Sequence, residues 1–178
     1  TAFHDRGRFV GYFEADVKVR IPSPTGALPG AYRVGTVFDP RPRPHYGTDD
    51  GDGRPLLDGQ DAGFYLSFDQ MLYRENPAGD QGLGWFFRYG YRPKEMNRIA
   101  DFYSTGAQYK GLIPGRDQDV LGFAMYAALG SEIHRRFSAP EFNGETGYEL
   151  YYSIQVARWF TITPDIQVIS DPGGFSFD

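Results

Sequence analysis

Catalysis needs a nucleophile, a positioned base or a metal-ligand set, and this chain supplies the makings of none. There are no cysteines, which removes thiol nucleophiles, Cys-ligated zinc, iron–sulfur clusters and disulfides together. The three histidines, His4, His45 and His134, fall in expected loops or at the terminus. No Gly-x-Ser-x-Gly elbow and no His-Glu-x-x-His helix is present. Glu14 and Asp16 share a strand face, yet glycosidase work requires a carboxylate separation that sequence spacing does not set. The run Asp49-Asp50-Gly51-Asp52-Gly53 has the oxygens for calcium but not the EF-hand spacing, and it reads as a solvated acidic loop. His134-Arg135-Arg136 reads as a solvated charge cluster that touches lipid phosphates at most. The expectation is therefore no enzyme, no metal and no cofactor. What remains is a dispersed set of multidentate groups: Arg33, Asp69, Arg88, Arg92, Lys110, Glu149, Asp165, Gln155 and Gln167. Each offers several donors or acceptors, and Tyr65, Tyr126 and Tyr151 add ring faces. Arg88 and Arg92 stand out, because two guanidiniums in one phase of one strand would make a local positive stripe.

Those groups are positioned by elements of period two. From Phe9 to Arg20, Phe9, Gly11, Phe13, Ala15, Val17 and Val19 alternate with Val10, Tyr12, Glu14, Asp16, Lys18 and Arg20, a strand template and no helix template. The pattern recurs at 30–39, 63–74, 83–92, 101–110, 120–129, 146–157 and 160–169. In 63–74, Phe64, Leu66, Phe68 and Leu72 oppose Tyr65, Ser67, Asp69 and Tyr73. In 120–129, Leu121, Phe123, Met125, Ala127 and Leu129 share a side. In the last two segments Tyr148, Leu150, Tyr152, Ile154 and Val156, then Phe160, Ile162, Ile166 and Val168, do the same.

The chain has 178 residues, 17% of them aromatic, and a net charge of −5. That charge speaks against a nucleic-acid binder, which would need a basic face. No stretch reaches the roughly 18 apolar residues of a spanning helix. Eight alternating segments of ten or more residues are longer than the roughly 5–6 residues of soluble strands and match the roughly 9–11 of membrane-barrel strands. Phe38, Tyr89, Tyr91, Tyr148, Trp159 and Phe160 gather near strand ends, as rings do at a membrane–water boundary. The expected fold is an all-β antiparallel transmembrane barrel of about eight strands. The connections 40–62, 93–100 and 130–145 would lie on the outer side, opposite shorter turns.

GLIPGRDQDVLG at 111–122, GYELYYSIQVARWFTITPDIQVISDPGG at 147–174, LPGAYRVGTVFD at 28–39, GFYLSFDQML at 63–72 and GWFFRYGY at 84–91 together resemble the carbohydrate-selective porins of the OprB type. The resemblance runs from about Leu28 to Gly174. It implies a barrel of about sixteen strands in the bacterial outer membrane through which small sugars diffuse passively. Residues 1–178 would then be a single partial barrel domain, a late portion incomplete at both ends. The family ends on a strand with a terminal aromatic, whereas this chain stops at Phe177-Asp178. The remaining strands would come from the same polypeptide or another chain. Expected partners are sugars in transit and outer-membrane lipid, with no nucleic acid. Arg33, Asp69, Arg88, Arg92, Lys110, Glu149, Asp165, Gln155, Gln167, Tyr65 and Tyr151 are the candidates for the sugar path, since Arg and carboxylate groups suit sugar hydroxyls. The alternative is a soluble carbohydrate-binding β-sandwich, which would need no detergent.

Overall fold

A computed structural model describes residues 9–58 and 61–175; His4 and Phe177-Asp178 lie outside them. Each alternating segment is a strand, and the strands follow one another as an antiparallel meander. The order is β1 (Gly11–Ile21), β2 (Leu28–Asp39), then, after a small hairpin of β3 (Arg43–Pro44) and β4 (Leu57–Asp58), β5 (Asp61–Arg74), β6 (Gly82–Tyr91), β7 (Ile99–Lys110), β8 (Val120–Gly130) and β9 (Gly144–Ala157). A short helix α1 (Glu132–Phe137) precedes β9. The last expected strand is divided into β10 (Phe160–Ile162) and β11 (Asp165–Ser170), both paired with β9. Pro164 stands at the division, where a residue without an N–H cannot donate to the ladder. Its carbonyl still accepts from the Tyr152 N–H at 3.1 Å, so the register carries through the gap.

Directly paired residues share a face, so the register decides which side chains lie together. One row reads Val17, Tyr32, Phe68, Phe87, Thr105, Met125, Tyr148 and Val168 across the whole sheet. The row two residues along ends in Phe123, Leu150 and Ile166. These side chains are bare: Leu150 is 48% exposed, Ile166 68% and Val168 59%. The buried hydrophobic residues Leu28, Met96, Ala100 and Phe142 lie at strand ends and in connections instead. Among the described residues no second sheet covers the apolar face. A sandwich, whose core would be that face, is excluded by this exposure.

The sheet does not close. Among the described residues β1 pairs only with β2, and β10 and β11 only with β9. Eight strands could close around a packed interior; here two strand edges stay open.

The phase read from single strands needs one correction. A bulge between Met71 and Tyr73 leaves Leu72 without a partner and pairs Tyr73 with Leu83. An extra residue in one strand reverses the phase beyond it, so Tyr73 joins the apolar row, 6.4 Å from the Tyr109 ring. Connections also hold more structure than expected. At the end carrying 40–58, 92–98 and 131–143, the chain adds the β3–β4 hairpin and α1. Ser131 caps α1 by accepting from the His134 N–H at 3.1 Å, and its own hydroxyl donates to the Lys94 carbonyl at 2.5 Å.

On the opposite face glycines answer rings. Gly35 faces Tyr65, Gly106 faces Phe86, Gly122 faces Tyr151 and Gly147 faces Tyr126 in register. A Cβ at Gly106 would meet Phe86 Cε1 at 2.7 Å, and at Gly122 it would collide with the Tyr151 ring. The rings therefore lie flat against the neighbouring strand, each recovering the packing that a glycine forfeits. Replacing Gly122 with Val should cost about 1–3 kcal/mol through overpacking, read as a lower urea midpoint. Adding Tyr151→Ala to Gly122→Val should recover part of that loss. Additive losses in the double variant would show that the ring and the glycine do not share one space.

Candidate functional site

The polar face carries the chemistry. Arg33, Asp69, Arg88, Lys110, Glu149, Asp165, Gln167, Tyr65 and Tyr151 all lie in its phase, as the register requires. Arg92 and Gln155 continue that phase at the strand ends.

A charged ladder crosses β1, β2, β5 and β6. Asp69 accepts from Arg33 Nη1 at 2.9 Å and from Arg88 Nη2 at 2.6 Å. Arg33 Nε lies 3.7 Å from Asp16. The second Arg88 nitrogen donates to the Phe68 and Phe87 carbonyls at 2.7 and 3.0 Å, while its guanidinium sits 5.0 Å from the Phe86 ring centroid. Bidentate and multidentate bonds of this kind hold a planar guanidinium in one orientation.

Arg92 belongs elsewhere. It donates to Asp61 at 2.6 Å, and Asp61 also takes a bond from Asn97 at 3.1 Å and an ion pair with Arg43 at 3.5 Å. Arg88 and Arg92 thus share a phase without forming a stripe of free positive charge, because each guanidinium is held on a different carboxylate, Asp69 and Asp61. Asp61 is directly opposite Asp39 in the ladder, and both are fully buried. Two facing carboxylates repel, and the cluster is held by cations: Asp39 takes Arg41 Nε at 2.8 Å and Arg43 Nη2 at 2.8 Å. Gly63 makes room for the Arg92 stem, since a Cβ there would meet Arg92 Cδ at 2.5 Å. Neither Asp39 nor Asp61 was expected as a functional residue. The signal was present in Asp39-Pro40-Arg41-Pro42-Arg43-Pro44, where prolines fix φ and place two arginines at alternating positions within reach of the first carboxylate.

The tyrosines are tethered at their hydroxyls. Tyr65 donates to Glu14 at 2.5 Å and Tyr151 to Gln108 at 3.1 Å, and Tyr126 donates to Glu145. Lys110 reaches Asp80 at 2.5 Å and holds that carboxyl below its usual range. The Gln155 backbone N–H binds Asp119, which closes the turn before β8 with Arg116 and Tyr152. The side chains of Glu149, Asp165 and Gln167 form no hydrogen bond or ion pair among the described residues. A groove of about 910 Å³ is lined by Lys18, Arg20, Asp69, Asp80, Gln108 and Lys110 among others. The acidic loop is occupied with itself: Asp49 caps the Gly51 N–H at 2.8 Å and Asp50 the Asp52 N–H at 2.9 Å. Among the described residues no group of carboxylates and histidines has the arrangement of a metal site.

A family model for carbohydrate-selective porins of the OprB family matches residues 4–178. The chain belongs to this family. It is 27% identical over 172 aligned residues to Porin B of Pseudomonas aeruginosa, covering 83% of this chain and 38% of that protein. A structure described as the high-pH structure of Pseudomonas putida OprB superposes with a TM-score of 0.77 at 23% identity, covering 93% of this chain and 44% of that one. This last likeness is one of fold: the open meander matches part of that structure. The chain spans less than half the length of either relative.

The connections at the β3–β4 end pack on each other, and His134 is at their centre. It is 7% exposed, which corrects the reading of His134 as part of a solvated cluster. The imidazole lies 4.6 Å from the Tyr46 ring and 5.4 Å from the Phe142 ring, and Arg98 covers Phe142 at 4.7 Å. Burial lowers the His134 pKa, and the Arg98 charge lowers it further. A histidine depressed in the folded state favours folding above its ordinary value of about 6.5. That contribution is lost as pH falls from there through the folded-state value. Amide protection over 45–47 and 133–137 should therefore drop between pH 7.5 and 5.5, and His134→Leu should flatten the drop. Equal protection factors at both pH values in the unsubstituted protein would leave this packing without a proton linkage.

Proposed function

We propose that this chain forms part of the wall of a bacterial outer-membrane channel through which small sugars diffuse passively. The observation that carries the reading is the pairing of one bare apolar face with one polar face on which the Arg33–Asp69–Arg88 ladder fixes its charges against one another. A bare apolar face is stable against hydrocarbon, while a water-filled path needs groups that exchange hydrogen bonds with a passing solute and need no acid–base pair. In this reading Arg33, Asp69, Arg88, Arg92, Lys110, Glu149, Asp165, Gln155, Gln167, Tyr65 and Tyr151 face the lumen. The open edges of β1 and of β10–β11 would expose unpaired backbone groups in lipid. They are therefore covered by further strands of the same polypeptide or of another chain, making residues 1–178 a partial barrel domain. Membership of a carbohydrate-selective porin family supports sugars as the solute. The ladder supports selection by hydroxyl contacts: its guanidiniums and carboxylate are oriented by one another and still reach water, with Asp69 42% exposed at its side chain.

Two measurements test this. In liposome swelling the full-length protein should admit glucose, and Asp69→Asn should slow it by about threefold, the equivalent of losing roughly 0.7 kcal/mol of hydrogen bonding. The same variant frees two guanidiniums and should move the reversal potential in a salt gradient toward anion selectivity. No shift in either quantity would remove the ladder from the path. For the membrane face, Leu150 is the seventh residue of the 14-residue β9. Leu150→Arg should cost about 2–4 kcal/mol near mid-membrane, measured by denaturant unfolding from lipid vesicles. A cost near zero would contradict a lipid-facing position.

A further inference from the structure

The polar face has an apolar floor. Strand phase assigns positions 86 and 102 to the polar side, yet both are phenylalanine, and Phe102 is 37% exposed. With Ser104, Tyr126, Glu149 and Gln167 they line a groove of about 450 Å³. Its shape follows from the register. One row across five strands reads Phe86, Gly106, Ala124, Glu149 and Gln167. Two small residues hollow the wall between a ring at one end and a carboxylate facing an amide at the other. From Phe86 to Glu149 is three strand spacings, roughly 14 Å. Tyr126, in the next row on this face, and Phe102, one row further, are near parallel, at 23° and 6.2 Å. Phe86 lies over Gly106 and Tyr126 over Gly147, and the Arg88 guanidinium sits over the Phe86 ring, 5.0 Å from its centroid.

We propose that this trough is a docking subsite for a pyranose ring, an inference that rests on the channel reading above. A pyranose has an apolar C–H face and a rim of hydroxyls, and the trough matches both. Phe86, Phe102 and Tyr126 take the C–H face. Ser104, Glu149 and Gln167 take the rim; the last two have no other hydrogen-bond partner among the described residues, and Arg88, over the Phe86 ring, adds a donor at that end. An acyl chain would strip water from the Glu149 carboxylate without replacing it, and an anion would be repelled by it. A neutral sugar suffers neither penalty.

The experiment compares two probes of similar size in liposomes bearing the full-length protein: D-glucose, which has a ring face, and sorbitol, an open-chain hexitol without one. Their swelling-rate ratio is independent of how much protein inserts. Phe86→Leu and Phe102→Leu keep apolar bulk and remove the ring, and each should lower the glucose-to-sorbitol ratio by about threefold. Phe102→Trp should keep or raise it. An unchanged ratio in both leucine variants, with both solutes still passing, would make the rings packing over glycine and overturn the subsite alone. Passage of neither solute through the unsubstituted protein would overturn the channel reading, and the subsite with it.

Discussion

Everything in this molecule hangs on an unbroken antiparallel hydrogen-bond ladder. Strand β2 and each strand from β5 to β9 is paired on both sides, so backbone polar groups are satisfied without any core. That is the condition for a sheet one residue thick to face hydrocarbon. It also explains why the large apolar side chains are on the outside, where a soluble protein would have buried them. The hydrophobic residues here specify the surrounding medium, while the ladder itself supplies the cohesion that packing supplies elsewhere.

The ladder makes register the carrier of function. Alternation within one strand is legible in sequence, which is why all eight strands and the sidedness of Leu150, Ile166, Arg33 and Glu149 can be read from residues alone. Register between strands is not legible in that way. Nothing in a single segment says that Gly122 faces Tyr151, that Asp39 faces Asp61, or that Gly106 and Ala124 fall in one row between Phe86 and Glu149. The bulge at Leu72 was hidden for the same reason, since an extra residue is defined only against a partner. Phe86 was overlooked because a short aromatic run, Trp85-Phe86-Phe87, looks like apolar bulk until the phase separates its members.

Charge is handled differently at different heights of the polar face. At the end bearing the long connections, the buried Asp39–Asp61 pair is saturated by Arg41, Arg43 and Arg92. A buried ion pair is stable only when its geometry and hydrogen bonds are complete, and that completeness fixes the hairpin connection to the rim. Midway along the strands, Asp69 shares two arginines and all three groups stay partly exposed. The first arrangement is a fastener. The second keeps its groups oriented and wet, a condition for exchanging hydrogen bonds with something that passes. Arg88 and Arg92, alike in sequence and in phase, therefore do different work four residues apart.

The wall is also divided around its circumference. The paired charges of the Arg33–Asp69–Arg88 ladder lie on β2, β5 and β6, and three of the four ring-over-glycine pairs on β6 through β9. Arg88 and Phe86 stand at the seam, with the guanidinium 5.0 Å from the ring centroid. A solute with one apolar face and a polar rim is complementary to such a seam in a single orientation. Rotating it would place hydroxyls on carbon and C–H groups on charge, which lose hydrogen bonds on both sides. A small ion has no such face and meets only the charged half. On the channel reading proposed above, two kinds of traffic would then be separated by surface: the ladder would set which ions are favoured, and the seam between ladder and rings which neutral solutes are.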